Sequence, residues 1–371
     1  MRTYKEYLFK KHGNYYFNTA SIGVPSINTL NKMFSLFIDF SKNPIIEKKY
    51  ENDICVMKER LKKFLNISNG KIGLLRNTTE GLMLSSQGIP LEENDEIILT
   101  NIDHRSAVNG WFLREKNENI KINRIKIEYF DSSENIINKI FSAITNKTKV
   151  IAVPHIDRYF GIIFPIEEIV KIARERNIYI IIDGSQAFGL IELDIKKINP
   201  DIYVSCFHKW GLLPMTLGFI YIKDTLSSKI KRQFISGTRF FEKNIEDREF
   251  DGPELGTRNV IIEKVLEDIF PFTYDFYPTF SPREYAKEKL KELKNIKLYL
   301  NNYQNTPYGI ITLKANDIET ELLKFELEKE RIFVGTSLVG EENLLRISLF
   351  FYNTKEDIDY LIKILKVKIG E

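Results

Sequence analysis

Two ionisable residues at the ends of apolar runs suggest chemistry. The stretch "IYIIIDGSQAFG" ends its apolar run at Asp183, and "VSCFHKW" places His208 and Lys209 just past a second run at 202–206. Lysine is seldom buried without a partner. A carboxylate at the end of a buried strand needs a cation or hydrogen-bond donors nearby. If the two runs are parallel neighbours in one sheet, Asp183 and Lys209, 26 positions apart, share one edge of it. One ligand that needs both is pyridoxal phosphate. Its aldehyde forms a Schiff base with a lysine, and its ring nitrogen stays protonated beside a carboxylate. Taken alone, Asp183 reads equally well as a cap on the turn before Ser185 and Gln186.

Such a cofactor also needs a phosphate cradle. "RNTTEGLML" follows an apolar run at 72–75 and opens a helical pattern with Thr78, Thr79 and a glycine. Free backbone N–H groups and the helix dipole favour an anion there, although threonine at a helix start is usually only an N-cap. "TNIDHRSAVNGW" sets His104 beyond the run at 96–100, where an imidazole can stack on a pyridine ring. By itself His104 also reads as a solvated loop residue.

These residues must be positioned by a regular scaffold. Short apolar runs at 72–75, 96–100, 122–127, 150–154, 178–183, 202–206 and 217–222 read as strands, with helical patterns such as 133–144 and 166–176 between them. Leu30, Met33, Phe34 and Phe37 follow helical spacing, as do Ile54, Met57, Leu61 and Leu65. Strands alternating with helices predict an α/β fold with a mostly parallel sheet covered on both faces. Ligands of such sheets bind beyond the carboxyl ends of the strands. After about residue 260 the pattern changes to that of a smaller α+β unit. It has helices at 283–294 and 318–331, strands at 308–313 and 345–349, and a last helix from Thr354, with Asp357 placed for a capping box and Ile358, Leu361, Ile362 and Leu365 facing inward. The expected organisation is a large domain over 15–260 and a small one over 261–371, joined by 1–14.

Composition narrows the function classes. The 371 residues are 43% hydrophobic and 28% charged, an ordinary globular profile too long for one compact core. With 54 basic and 51 acidic residues the net charge is only +3, so neither nucleic acid nor an anionic membrane is an expected partner. Cys55 and Cys206 are too few for a disulfide framework, which suggests a reducing interior. His12, His104, His155 and His208 share no metal-ligand spacing, so no catalytic metal is expected. The start, "MRTYKEYLFKKHGNYYF", lacks the apolar core of a signal peptide, and no apolar run reaches membrane-spanning length. A cytoplasmic location is expected.

Taken in order, "YYFNTASIG", "NTTEGL", "DHRSAV", "IIDGSQAFG", "FHKW", "GTRN" and "LLRISLFFYNTKEDID" resemble the class V aminotransferase family, which includes cysteine desulfurases and isopenicillin N epimerase-like enzymes. The resemblance covers nearly the whole chain. It implies the large pyridoxal-phosphate fold of aspartate aminotransferase type (fold type I), working as a homodimer on an amino acid. Carried over, Lys209 would hold the cofactor aldehyde, Asp183 would pair with the ring nitrogen, Gln186 would contact the ring oxygen and His104 would stack on the ring. Thr78, Thr79 and His208 would hold the phosphate, with Gly256 and Thr257 reaching that of the partner subunit. Arg346 would clamp the substrate α-carboxylate, a task suited to a bidentate guanidinium.

Three departures from the family pattern matter. Cys206 replaces a serine often found two residues before the phosphate-contacting histidine. In "PHIDRYFG", Arg158 stands where many relatives have asparagine, and a second cation there favours an acidic substrate. The stretch "RIFVGTSLVGEENLLRIS", where desulfurases carry a nucleophilic cysteine, has none. The expected activity is therefore an aminotransferase-like reaction through a Lys209 Schiff base. A lyase or epimerase on the same scaffold comes second and a cysteine desulfurase third. A pyridoxal-phosphate-binding protein without turnover is the non-enzymatic alternative, against which the presence of Arg346 counts.

Overall fold

The computed structural model describes residues 12–43, 56–231, 260–266, 278–301 and 306–371. Two sheets organise them. The first strand, β1 (Tyr15–Phe17), belongs to the smaller sheet, and the next seven build the larger: β2 (Lys71–Leu75), β3 (Glu96–Thr100), β4 (Lys121–Ile125), β5 (Thr148–Pro154), β6 (Tyr179–Asp183), β7 (Ile202–Cys206) and β8 (Gly218–Ile222). The larger sheet runs in the order β2-β8-β7-β6-β5-β3-β4. The pairs β3–β4, β3–β5, β5–β6 and β6–β7 are parallel, and β8 is antiparallel to both neighbours, β7 and β2. Because β8 reverses twice over, β2 points the same way as β7. The carboxyl ends of β2, β3, β5, β6 and β7 therefore open on one edge.

The continuous apolar runs are explained by a sheet covered on both sides. Side chains alternate across a strand. Ile98, Ile151, Val153, Ile180 and Ile182 pack into one buried cluster, whereas Ile97, Leu99, Val150, Ala152 and Ile181 pack into another on the opposite face. Helices Thr78–Gly88, Arg105–Glu118, Ser133–Ala143 and Ile166–Glu175 connect these strands.

The smaller sheet has the order β1-β11-β12-β10-β9, with β9 (Ile296–Tyr299), β10 (Gly309–Ala315), β11 (Ile332–Val339) and β12 (Glu342–Leu349). It is antiparallel except for β1, which lies parallel to β11. Tyr15–Phe17 thus sits in the second sheet, and the expected boundary at residue 15 is corrected: hydrogen bonds to 332–334, unreadable locally, decide its place. The helix Lys355–Lys368 opens with the expected capping box of Thr354 and Asp357, and Ile358, Leu361, Ile362 and Leu365 are buried in the core of this unit. In helix Ile27–Lys42 the apolar stripe faces outward: Phe34 is 68% exposed and Phe37 and Ile38 are also exposed, while Thr29 and Leu36 are buried. Ile54 lies outside the described residues. No helix among the described residues is long and apolar enough to cross a membrane.

One buried polar pair stiffens the edge between β5 and β7. His155 follows β5, its backbone N–H donates to the Asp183 carbonyl, and its Nδ1 lies 2.9 Å from the Tyr203 hydroxyl. Burial lowers its pKa from the ordinary 6.5 to about 4. Below pH 6.5 the unfolded chain takes up a proton that folded His155 refuses, so this group removes stability as pH falls toward 4. Relative to His155→Gln, the wild type is expected to lose on the order of 2 kcal/mol between about pH 7.5 and about pH 5, read from urea unfolding. Parallel pH dependences for the two proteins would contradict this assignment.

Candidate active site

Asp183 is the last residue of β6 and stands level with Pro154 of β5 and Val204 of β7. One carboxylate oxygen, Oδ1, accepts from the Ser185 backbone N–H at 2.9 Å and from the Ser185 hydroxyl. That leaves Oδ2 for a protonated ring nitrogen. Lys209 lies three residues beyond β7, half-buried, in a loop fixed by close packing. The Gly23 N–H donates to His208 O at 2.6 Å, and a Cβ on Gly23 would lie 1.9 Å from the Lys209 carbonyl oxygen. Only glycine permits that approach. Trp210, fully buried next to Lys209, donates its Nε1–H to Gln186 Oε1 at 2.7 Å, and Gln186 Nε2 donates to Ala20 O at 2.9 Å. Both ends of the Gln186 amide are thus engaged by the protein. Its expected role toward the ring oxygen falls to the second N–H of Nε2.

His104, Arg158, Asp183, Gln186 and Lys209 line one open cleft. His104 caps helix Arg105–Glu118, with Nδ1 accepting from the Ser106 N–H at 3.1 Å. Burial first, and then the Arg158 and Lys209 cations, push its pKa down to about 4 against the opposing pull of Asp183. A neutral imidazole is what stacking on a cationic ring requires.

The Thr78 end of the site has the donors that the cofactor's phosphate would need. Thr78 Oγ1, which has the Cys206 thiol beside it, and His208 Nδ1 are buried polar atoms with no nitrogen or oxygen hydrogen-bond partner among the described residues. Such orphans are costly unless a ligand meets them. Thr78 opens helix Thr78–Gly88 after the Asn77 cap, so the first-turn N–H groups also face that ligand. Burial and then Lys209 lower the His208 pKa to about 4. Thr79 is exposed, and its hydroxyl donates to Ser106 Oγ at 2.9 Å, so it meets the cradle less directly than Thr78. Cys206, fully buried, points its thiol toward Ser185 O, and burial pushes its pKa up. A neutral thiol is a poor donor where serine would be a good one. Gly256 and Thr257 lie outside the described residues.

Arg346 on β12 is 1% exposed. Its Nη2 donates to Asn18 Oδ1 at 3.2 Å and to Ser21 Oγ, and its Nη1 donates to Arg158 O at 3.2 Å. Its Nε–H has no hydrogen-bond partner among the described residues. Burial and then the Arg158 cation lower its pKa to about 10, so it stays charged. Gly335 sits opposite it on β11, and a Cβ there would lie 3.0 Å from Nη2. That buried Nε–H is a donor left for a ligand to satisfy.

Some contributors escaped the sequence reading. Asn18 and Ser21 hold Arg346 from more than 300 positions away. Ser185 was visible in "DGSQ" and is tied to Asp183 by spacing alone. Asp103, next to His104 in "DHR", is buried and accepts from the Thr100 N–H and hydroxyl. Burial raises its pKa to about 7.

Replacing Thr78 by valine is expected to weaken retention of pyridoxal phosphate about tenfold. The affinity for pyridoxal, which lacks the phosphate, should not change. Equilibrium dialysis with both compounds checks this, and equal losses would show that Thr78 does not face the phosphate.

Comparison with known proteins gives the same picture. The family model described as Aminotransferase class-V matches residues 41–361. A probable cysteine desulfurase of Borreliella burgdorferi is 30% identical over 344 residues, covering 85% of this chain and 81% of its own length. Among solved structures, a C-DES variant with glycine covalently linked to its pyridoxal-phosphate cofactor superposes with a TM-score of 0.86 at 18% identity, over 98% of this chain and 99% of that one. The cystine C–S lyase C-DES in complex with cysteine persulfide gives 0.82 at 17% identity, over 95% and 97% of the two chains. The chain therefore belongs to the class V aminotransferase family of pyridoxal-phosphate enzymes and has their α/β, fold type I architecture.

Proposed function

We propose that this chain is a pyridoxal-phosphate-dependent lyase that breaks the Cβ–S bond of a sulfur-containing amino acid and releases the sulfur without an enzyme thiol. The hairpin preceding Arg346 carries this reading. β11 pairs with β12 in continuous register from Gly335–Arg346 to Val339–Glu342, closing through Gly340 and Glu341. That stretch therefore holds neither a long loop nor a cysteine. The chain has only two cysteines. Cys55 lies outside the described residues, and Cys206 is buried at the phosphate end with its thiol held neutral. A curated relative named for desulfuration of cysteine supports a sulfur substrate. The missing thiol removes the transfer step and leaves elimination, the reaction class of the similar C–S lyase.

The residues present suffice for elimination. When bound, pyridoxal phosphate supplies an electron sink at the substrate α-carbon. Arg346 would hold the α-carboxylate, and Asp183 would keep the ring nitrogen protonated. Lys209 Nζ removes the Cα proton. The Cα–H electron pair becomes a Cα=Cβ bond as the Cβ–S bond breaks, and sulfur departs with the electrons of that bond and takes up a proton. The released enamine tautomerises, and water hydrolyses it to pyruvate and ammonia. Transamination, the first expectation from the sequence, begins with the same proton removal and is the rival that products separate. A homodimer is part of the same proposal, supported by the outward apolar stripe of Phe34, Phe37 and Ile38.

Incubation with cysteine or cystine is expected to yield pyruvate and ammonia in equal amounts, together with sulfide from cysteine or cysteine persulfide from cystine, and Cys206→Ala should keep this turnover. Accumulation of the sulfur-bearing keto acid without ammonia would mean transamination. Loss of activity in Cys206→Ala, with folding and cofactor content preserved, would restore a thiol mechanism.

A further inference from the structure

The Arg158 guanidinium is left over once the cofactor and the α-carboxylate have been assigned their partners. It lines the cleft with His104 and Lys209. It rests 5.4 Å from the centre of the Tyr159 ring and makes no ion pair or hydrogen bond among the described residues. The neighbouring acid does not neutralise it by direct pairing. Asp157 is fully buried, and its carboxylate accepts from the backbone N–H groups of Tyr159, Phe160 and Ile162 at 2.6–2.9 Å. Those three bonds make the turn carrying Arg158 a rigid platform. The turn is closed by the Ile156–Ile163 bridge and tied to β10 by the Thr312 hydroxyl on Tyr159 O. The Arg158 carbonyl also accepts from Arg346, so the turn and the α-carboxylate clamp are held in fixed relation.

We propose that Arg158 is a specificity residue for a second anion on the substrate, so that the preferred substrate is an amino acid whose sulfur substituent ends in a carboxylate. Cystine has this chemistry, since its distal half carries one. The proposal rests on the lyase reading for the place of the sulfur. Recognition of the second anion, however, is an equilibrium property that elimination does not enter. A preorganised guanidinium on a fixed turn suits bidentate capture of a carboxylate. The only acid among the cleft-lining residues named above, Asp183, is committed to Ser185 and the ring nitrogen side.

Equilibrium binding to the holoenzyme tests this without turnover. Straight-chain dicarboxylates from succinate to suberate, none of which carries an amine, are titrated against the monocarboxylates of the same length by calorimetry. At the best length the dicarboxylate is expected to bind about tenfold tighter or more than its monocarboxylate partner. Arg158→Gln should remove that advantage while changing monocarboxylate binding much less, and Arg158→Lys should keep part of it. Dicarboxylates that bind no better than monocarboxylates at any length would overturn the proposal whatever the variants do. So would an advantage that survives in Arg158→Gln. If that variant instead shifts the pH at which the cofactor's absorbance titrates, Arg158 serves the cofactor oxygen and the proposal fails. Products of transamination would sink the lyase reading and leave the binding result standing.

Discussion

The contact between Gly23 and the Lys209 backbone is so close that a methyl group would collide with the carbonyl. This contact binds the segment leaving β1, in the smaller sheet, to the loop leaving β7, in the larger. Trp210 extends the same joint, giving its N–H to Gln186 and packing 5.3 Å, edge-on, from Phe350 just beyond β12. Lys209 therefore stands where two sheets meet. Its backbone is fixed there by packing. A flexible lysine on an open loop would serve poorly as a base, because catalytic groups gain from being held near the reacting atom.

Charge in the site follows from that placement. Lys209, Arg158 and Arg346 bring three cations to one cleft region, and the site answers by keeping the imidazoles uncharged. Burial and neighbouring cations act together on His104 and His208 and hold both near a pKa of 4. The region thus suits the anions proposed for it: a phosphate at the Thr78 end, a carboxylate at the Arg346 end and a further carboxylate at Arg158. The orphan atoms of Thr78, His208 and Arg346 mark two of these places independently of any charge argument.

Much of this frame was legible because it is periodic and local. Alternating apolar runs and helical patterns gave the larger sheet to within a residue or two, and the positions of Asp183, Lys209 and His104 at or just beyond strand ends came with it. The capping box at Thr354 was readable for the same reason. What stayed hidden is non-local. β1 is three residues long and pairs with 332–334, so nothing near it in the sequence declares its sheet. β11 reads "IFVGTSLV", where Gly335, Thr336 and Ser337 blur the alternation, yet it is an interior strand between β1 and β12. Gly335 makes sense only once Arg346 is known to lie across from it. The outward stripe of helix Ile27–Lys42 shows that apolar spacing reports a helix and not which way it faces.

The central claim is that Lys209, fixed at this joint, moves the proton at the substrate α-carbon. Hydrogen–deuterium exchange at Cα of L-alanine, which has no leaving group, isolates that step and is followed by proton NMR in heavy water with added pyridoxal phosphate. The account predicts steady loss of the Cα proton signal with wild-type protein and none above the cofactor-only background with Lys209→Ala. Exchange at the wild-type rate in Lys209→Ala, or none in cofactor-loaded wild type, would contradict it.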